Sequence, residues 1–170
     1  MPLHATRASV FLACVLLNLS AQAGATPFHD AELGFSFQPP SGWKKRAVAG
    51  ARVAYLAPEQ IGGHTPNLNL VVTTSPTPIT AQVIREGLAG IRAGIPDMRN
   101  YSEKQVRVAG ATAYLLSYDG AARGQSLHAE QLVLVKANRV YTLTGGAPSS
   151  LGGRYSPIFQ KVFRSVRFTK

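Results

Sequence analysis

The chain has 170 residues, 18 Lys and Arg against 8 Asp and Glu, a formal net charge of +10, and a single cysteine. That length suits one core-forming unit, while the lone Cys14 excludes an internal disulfide or a cysteine metal cluster, and the scattered acids nominate no carboxylate pair for glycoside chemistry. The basic residues are equally dispersed, with no run beyond Lys44-Lys45-Arg46, which argues against nucleic acid and leaves solubility or an anionic partner as the meaning of the charge.

The first 25 residues read as a cleaved signal peptide. Arg7 supplies the positive region, Ala8 to Leu17 the apolar stretch, and the A-Q-A and A-G-A patterns end at Ala23 and Ala25. The stretch is too short to span a bilayer comfortably. A lipid anchor at Cys14 is the lesser alternative, because Phe11 stands three places before it and Val15-Leu16-Leu17 continue the apolar run. Residues 26–170 are then one domain in the periplasm or outside the cell.

In chain order, Phe35 and Phe37 alternate with Ser36 as a short strand, which Pro39-Pro40 terminates because proline donates nothing to a ladder. Pro40, Ser41 and Gly42 fit a tight turn. Trp43 then closes the end of the core, and Lys44, Lys45 and Arg46 form a solvated rim. Residues 51–58 read as a second strand and 60–67 as a glycine-punctuated loop. Leu68, Leu70 and Val72 line one face of a third strand over 67–74.

The period then changes. Ile79, Val83, Ile84, Leu88, Ile91 and Ile95 form a helical stripe, capped by Thr77 or Thr80 and stopped by Pro96. Gly87 and Gly90 weaken this helix, so packing against a sheet must hold it. Residues 101–120 are a strand pair turning near Ala109-Gly110, and 125–147 a second pair turning near Asn138, a residue that tolerates left-handed backbone. Residues 145–153, GGAPSSLGG, read as a flexible loop. Ser156 caps a final helix with Pro157 in its first turn and Ile158, Phe159, Val162, Phe163 and Val166 on its apolar face, before a short edge strand over 167–170. Two helices and six or seven antiparallel strands make an α+β fold, a sheet covered by helices.

Several stretches together carry a family resemblance: the opening "FSFQPPSGW", "PNLNLVV" before a helix, the Gly110, Ala113, Leu116 and Tyr118 spacing, "ANRVYTLT", and the closing "FQKVFRSVRF". The chain resembles the PsbP-like superfamily over residues 28–168. That grouping spans the photosystem II protein PsbP, the Ran-binding import factor of yeast and exported bacterial domains of the DcrB type, and the last are the nearest in context. The resemblance implies an antiparallel sheet with helices on its faces, used as a binding or adaptor module. It maps no catalytic residue onto this chain.

Outside the signal the histidines are His29, His64 and His128. Ser126, His128 and Glu130 alternate, so they share a strand face, and His64, His128 and Glu130 are the one set that could hold zinc or serve a hydrolase. There is no G-x-S-x-G, no H-E-x-x-H and no Walker lysine after the glycines of 145–153. A non-enzymatic binding or adaptor domain of the envelope is therefore the leading expectation, with no cofactor and an envelope protein or an apolar or anionic ligand as partner. The alternatives are the His/carboxylate metalloprotein or hydrolase, and a structural subunit of an envelope complex. Candidate ligand or partner residues are Trp43, Lys44, Lys45, Arg46, Tyr114 and Tyr118.

Overall fold

Strands β1 (Phe28–Asp30), β2 (Phe35–Phe37), β3 (Lys44–Arg46), β4 (Val53–Leu56) and β5 (Asn67–Thr74) precede helix α1 (Ala81–Gly94). Strands β6 (Arg99–Val108), β7 (Ala111–Ala122), β8 (Gln125–Lys136) and β9 (Arg139–Pro148) follow, then α2 (Gly152–Ser165) and β10 (Arg167–Phe168). The computed structural model describes residues 25–95, 97–122 and 124–169; the expected signal peptide lies outside them apart from Ala25.

Two antiparallel sheets result. The larger has seven strands in the order β3-β4-β5-β9-β8-β7-β6, and the smaller has three, with β2 between β1 and β10. The three consecutive hairpins from β6 to β9 are local in sequence. The connection through α1 is not: it carries the chain from β5 to the far edge, so that β9 returns to pair with β5 from Asn67↔Gly146 to Thr74↔Arg139. The expected α+β architecture is what forms.

Alternation along β8 divides the core in two. Leu132 and Leu134 face α2 and the small sheet, in a cluster with Phe35, Phe37, Leu68, Leu70, Tyr141, Leu143, Tyr155, Phe159 and Phe163. Val133 faces the other way, toward Leu88 of α1 and Leu116 and Tyr118 of β7. The α1 side is thinner. Thr80 caps that helix, its Oγ1 accepting from Val83 N–H at 3.3 Å, yet Leu88 is its one buried residue.

Four sequence expectations change. The glycine-rich segment 145–153 is not a flexible loop: β9 runs through Pro148, a single 3₁₀ turn spans Ser149–Leu151, and α2 starts at once. Two of its four glycines are there for close approach. A Cβ on Gly145 would lie 2.3 Å from Phe159 Cδ1, and one on Gly152 would lie 2.9 Å from His128 Cγ. Helix α2 therefore begins at Gly152 rather than after Ser156, and Pro157 sits inside it. In the β8–β9 turn the left-handed residue is Ala137 (φ 54°), not Asn138. Asn138 instead ties the turn to the end of β5, its Nδ2 donating to Ser75 O at 3.1 Å and its carbonyl accepting from Ser75 N–H at 2.8 Å. Finally, Lys44–Arg46 is an edge strand and not merely a rim; the closing segment forms an edge strand as expected, paired with β2 in the small sheet.

Candidate binding site beside Trp43

Phe35 and Phe37 bury themselves in the core, and the chain leaves β2 through Pro39 and Pro40, both buried. The two rings fix φ and stiffen the segment. Trp43 N–H donates to Pro40 O at 3.3 Å, and Gly42 adopts φ 77°, a conformation only glycine takes freely. The turn is pinned to the end of α2: Gln38 N–H donates to Ser165 Oγ at 2.8 Å, and that hydroxyl donates to Val162 O at 2.6 Å. Gln38 Nε2 also reaches the carbonyl of Ala25.

Held this way, Trp43 is half-buried. Its ring meets Tyr155 and Phe159 of α2 edge-on at centroid distances of 6.2 and 6.3 Å, a geometry favoured by the aromatic quadrupoles. A pocket of about 340 Å³ opens between the turn and the helix. Pro39, Pro40 and Trp43 form one wall. Ile158, Lys161 and Val162, spaced to lie on one helical stripe, form the other. The pocket is mostly apolar, with Lys161 as its cation.

The flank is cationic. Lys44, Lys45 and Arg46 are all exposed on β3, and Lys45 Nζ stands 5.8 Å over the ring of Phe28. Ion pairs among the described residues fall elsewhere, on Arg52 with Asp30 and Glu32, on Arg154 with Glu59, and on His128. Arg52 bridges β1 to the strand following it in the large sheet, and its guanidinium holds the Asp30 carboxyl below its usual range.

A second polar constellation lies under the start of α2. Register puts Asp119 of β7 opposite His128 of β8, and Asp119 Oδ1 meets His128 Nδ1 at 2.9 Å. His128 Nε2 faces Glu130 Oε1 at 3.5 Å, too long for a good hydrogen bond but close enough for charge. Glu130 is only 3 % exposed. Burial pushes its carboxyl up, but His128, Ser156 and Gln160 outweigh that and hold it below its ordinary value. Glu130 and Asp119 in turn raise His128 against the opposing effect of burial. The result is an imidazole clamped between two carboxylates, in a polar cluster that fixes α2 to β7 and β8.

The metal and hydrolase reading needed more than that. His128 and Glu130 do come together, but His64 stays in its own turn, bridged to Ile61 with Nε2 3.4 Å from Asn67 Nδ2. Among the described residues no group of three or more His, Cys, Asp or Glu is arranged to hold a metal ion. Ser126, on the same face as His128, bonds Ser149 Oγ at 2.8 Å rather than the imidazole, so no nucleophile is presented to the ring. The expected zinc trio therefore fails at assembly.

Tyr114 and Tyr118 do not join Trp43. They point to the α1 side, packed with Leu88, Leu116 and Val133, and burial raises the Tyr118 phenol. An apolar cleft of about 110 Å³ runs there between α1 and the sheet, lined by Val83, Ile84, Leu88, Val133 and Val140.

The profile of the PsbP family matches residues 23–168. The chain belongs to the PsbP family. Solved structures share its fold: LpqN of Mycobacterium tuberculosis, involved in cell envelope biogenesis, superposes with a TM-score of 0.70 at 16 % identity over 85 % of this chain and 90 % of its own. Cyanobacterial PsbP of Synechocystis sp. PCC 6803 gives 0.65 at 16 % identity over 92 % and 98 %, and PA94 of Pseudomonas aeruginosa 0.59 at 14 % over 84 % and 95 %. No curated protein matches the chain in sequence. In this PsbP-family domain, sequence reasoning singled out Trp43 but missed Gln38, Ile158, Lys161 and Val162. Ile158 and Val162 lie on the helix face that was legible and Lys161 does not; that the Pro39-Pro40 turn docks there was not legible.

Proposed function

We infer that this PsbP-family domain is an exported, non-enzymatic binding or adaptor module of the cell envelope, and that its binding site is the pocket beside Trp43. One observation carries the reading: a concave, mostly apolar pocket of about 340 Å³, built from a rigid turn and a helix, with a lysine at its edge. Pockets of this size and lining are the usual form of ligand sites. Support for the location comes from the signal-like residues 1–25, and from the envelope role of LpqN, which shares the fold. Among the described residues no helix is long and apolar enough to cross a membrane.

Trp43 is the chain's only tryptophan, so a label on it reports on the pocket alone. With Trp43 incorporated as 5-fluorotryptophan, adding an unlabelled envelope extract to the purified protein should shift its fluorine resonance. An unchanged resonance across protein and lipid fractions of that extract would overturn the assignment.

A further inference from the structure

Strand β3 ends the seven-stranded sheet, and among the described residues it pairs on one side only, with β4 from Lys44↔Leu56 to Arg46↔Ala54. Its other edge offers backbone N–H and C=O groups to an added strand. All three of its side chains are cations, and none has a carboxylate within ion-pairing distance among the described residues. The Trp43 pocket opens at the start of this strand. At its end lies an open cleft of about 410 Å³ lined by Lys45, Arg46, Val48 and Arg52, where Val48 is 49 % exposed.

We propose that β3 is a docking edge for an extended acidic segment of a partner protein, which adds to the sheet as an eighth strand and seats one apolar side chain in the Trp43 pocket. The proposal rests on the reading of that pocket as a binding site and names the partner's chemistry. Three elements argue for it together. Charge complementarity selects acids opposite Lys44 and Arg46, which share one face of β3. The free edge supplies sequence-independent backbone bonding. The pocket supplies an aromatic-walled anchor point of the kind that dominates interface energetics. Lysines on an edge strand also discourage self-pairing between like-charged copies, and an acidic strand is the partner that this repulsion does not exclude. A flat membrane surface would use the cations but leave the concave pocket and the backbone edge idle.

The test uses a fluorescent probe peptide alternating Glu and Val with Phe at one end, titrated by anisotropy into the purified protein. Binding is expected to weaken about tenfold in the Lys44→Glu/Arg46→Glu variant, whose exposed substitutions do not threaten the core. It should weaken similarly when the terminal Phe becomes Ala, and when a central Val becomes Pro, which removes a backbone donor. It should also fall with rising salt. Equal binding by a Lys/Val peptide, or by the Pro-bearing one, overturns strand addition. So does binding to phosphatidylglycerol vesicles with no binding to the acidic peptide. If the peptide fails while Trp43 still responds to envelope extract, the binding-site reading stands and the acidic-strand proposal falls.

Discussion

Replacing Gly145 by alanine tests the packing that seats α2. Phe159 is fully buried, and a Cβ at Gly145 would stand 2.3 Å from its Cδ1, 2.4 Å from Cγ and 2.6 Å from Cε1. The ring has no slack, because Tyr155 lies 6.1 Å from it in a stacked arrangement and Trp43 meets it edge-on. Two effects oppose each other. Removing glycine from a strand ordinarily gains about 0.5–1 kcal/mol, whereas overpacking a filled core costs about 1–3 kcal/mol. With three ring atoms inside contact distance the second wins, and Gly145→Ala should destabilise by about 2 kcal/mol. For a domain of this size that lowers Tm by roughly 4–8 °C. Urea unfolding followed by Trp43 fluorescence reads it directly, and the native emission should shift as well, since moving Phe159 moves the indole's neighbour. Combining Gly145→Ala with Phe159→Leu should cost less than the two single changes added, the signature of a relieved clash. A Gly145→Ala protein as stable as the parent, or more stable, would refute the account of the glycine-rich segment as a packing device.

The charge cluster under α2 sets a pH window. Glu130 and Asp119, held below their ordinary values of 4.5 and 3.8, contribute stability that is present above those values and lost as pH falls through the folded ones. His128, raised above 6.5, contributes below that value and loses the contribution as pH climbs through its folded pKa. The urea midpoint should therefore decline on both the acid and the alkaline side of that window, and His128→Gln should flatten the alkaline limb and shrink the acid one, because His128 is the first of the partners that hold Glu130 low. On α1, Leu88→Ala should cost about 2–3 kcal/mol, because Leu88 is 5 % exposed, while Val83→Ala at 47 % exposure should stay within about 0.5 kcal/mol; thermal melts of the pair check it. Thr80→Ala removes the cap on Val83 N–H and should cost about 1 kcal/mol, read by faster amide exchange in the first turn of α1.

Much of this fold was legible because its signals are local. The hairpins from β6 to β9 show alternation on either side of short turns, and the two helices show a stripe at helical spacing bounded by caps or prolines. Strands β1 and β3 were not legible. A three-residue strand such as Lys44–Arg46 has no apolar alternation, and becomes a strand because β4 lies beside it. The turn at 137–138 failed for a related reason: Asn138 has the side chain suited to left-handed backbone, but its bonds to Ser75, 63 residues away, claim it for another task. The candidate site divides in the same manner. Trp43 and its basic neighbours could be picked from composition, whereas Lys161 joins the pocket through the docking of the Pro39-Pro40 turn on α2.

By itself the sequence determined the period of each element, the α+β class, the family pattern and the shared face of His128 and Glu130. These follow from side-chain spacing within single segments. The tertiary structure alone decided that GGAPSSLGG is a packed junction, since a glycine chosen for flexibility and one chosen for close approach look identical until Phe159 and His128 are seen above them. It also decided that Asp119, not His64, completes the cluster at His128. Strand register made that choice, and register depends on how the whole sheet aligns its two faces.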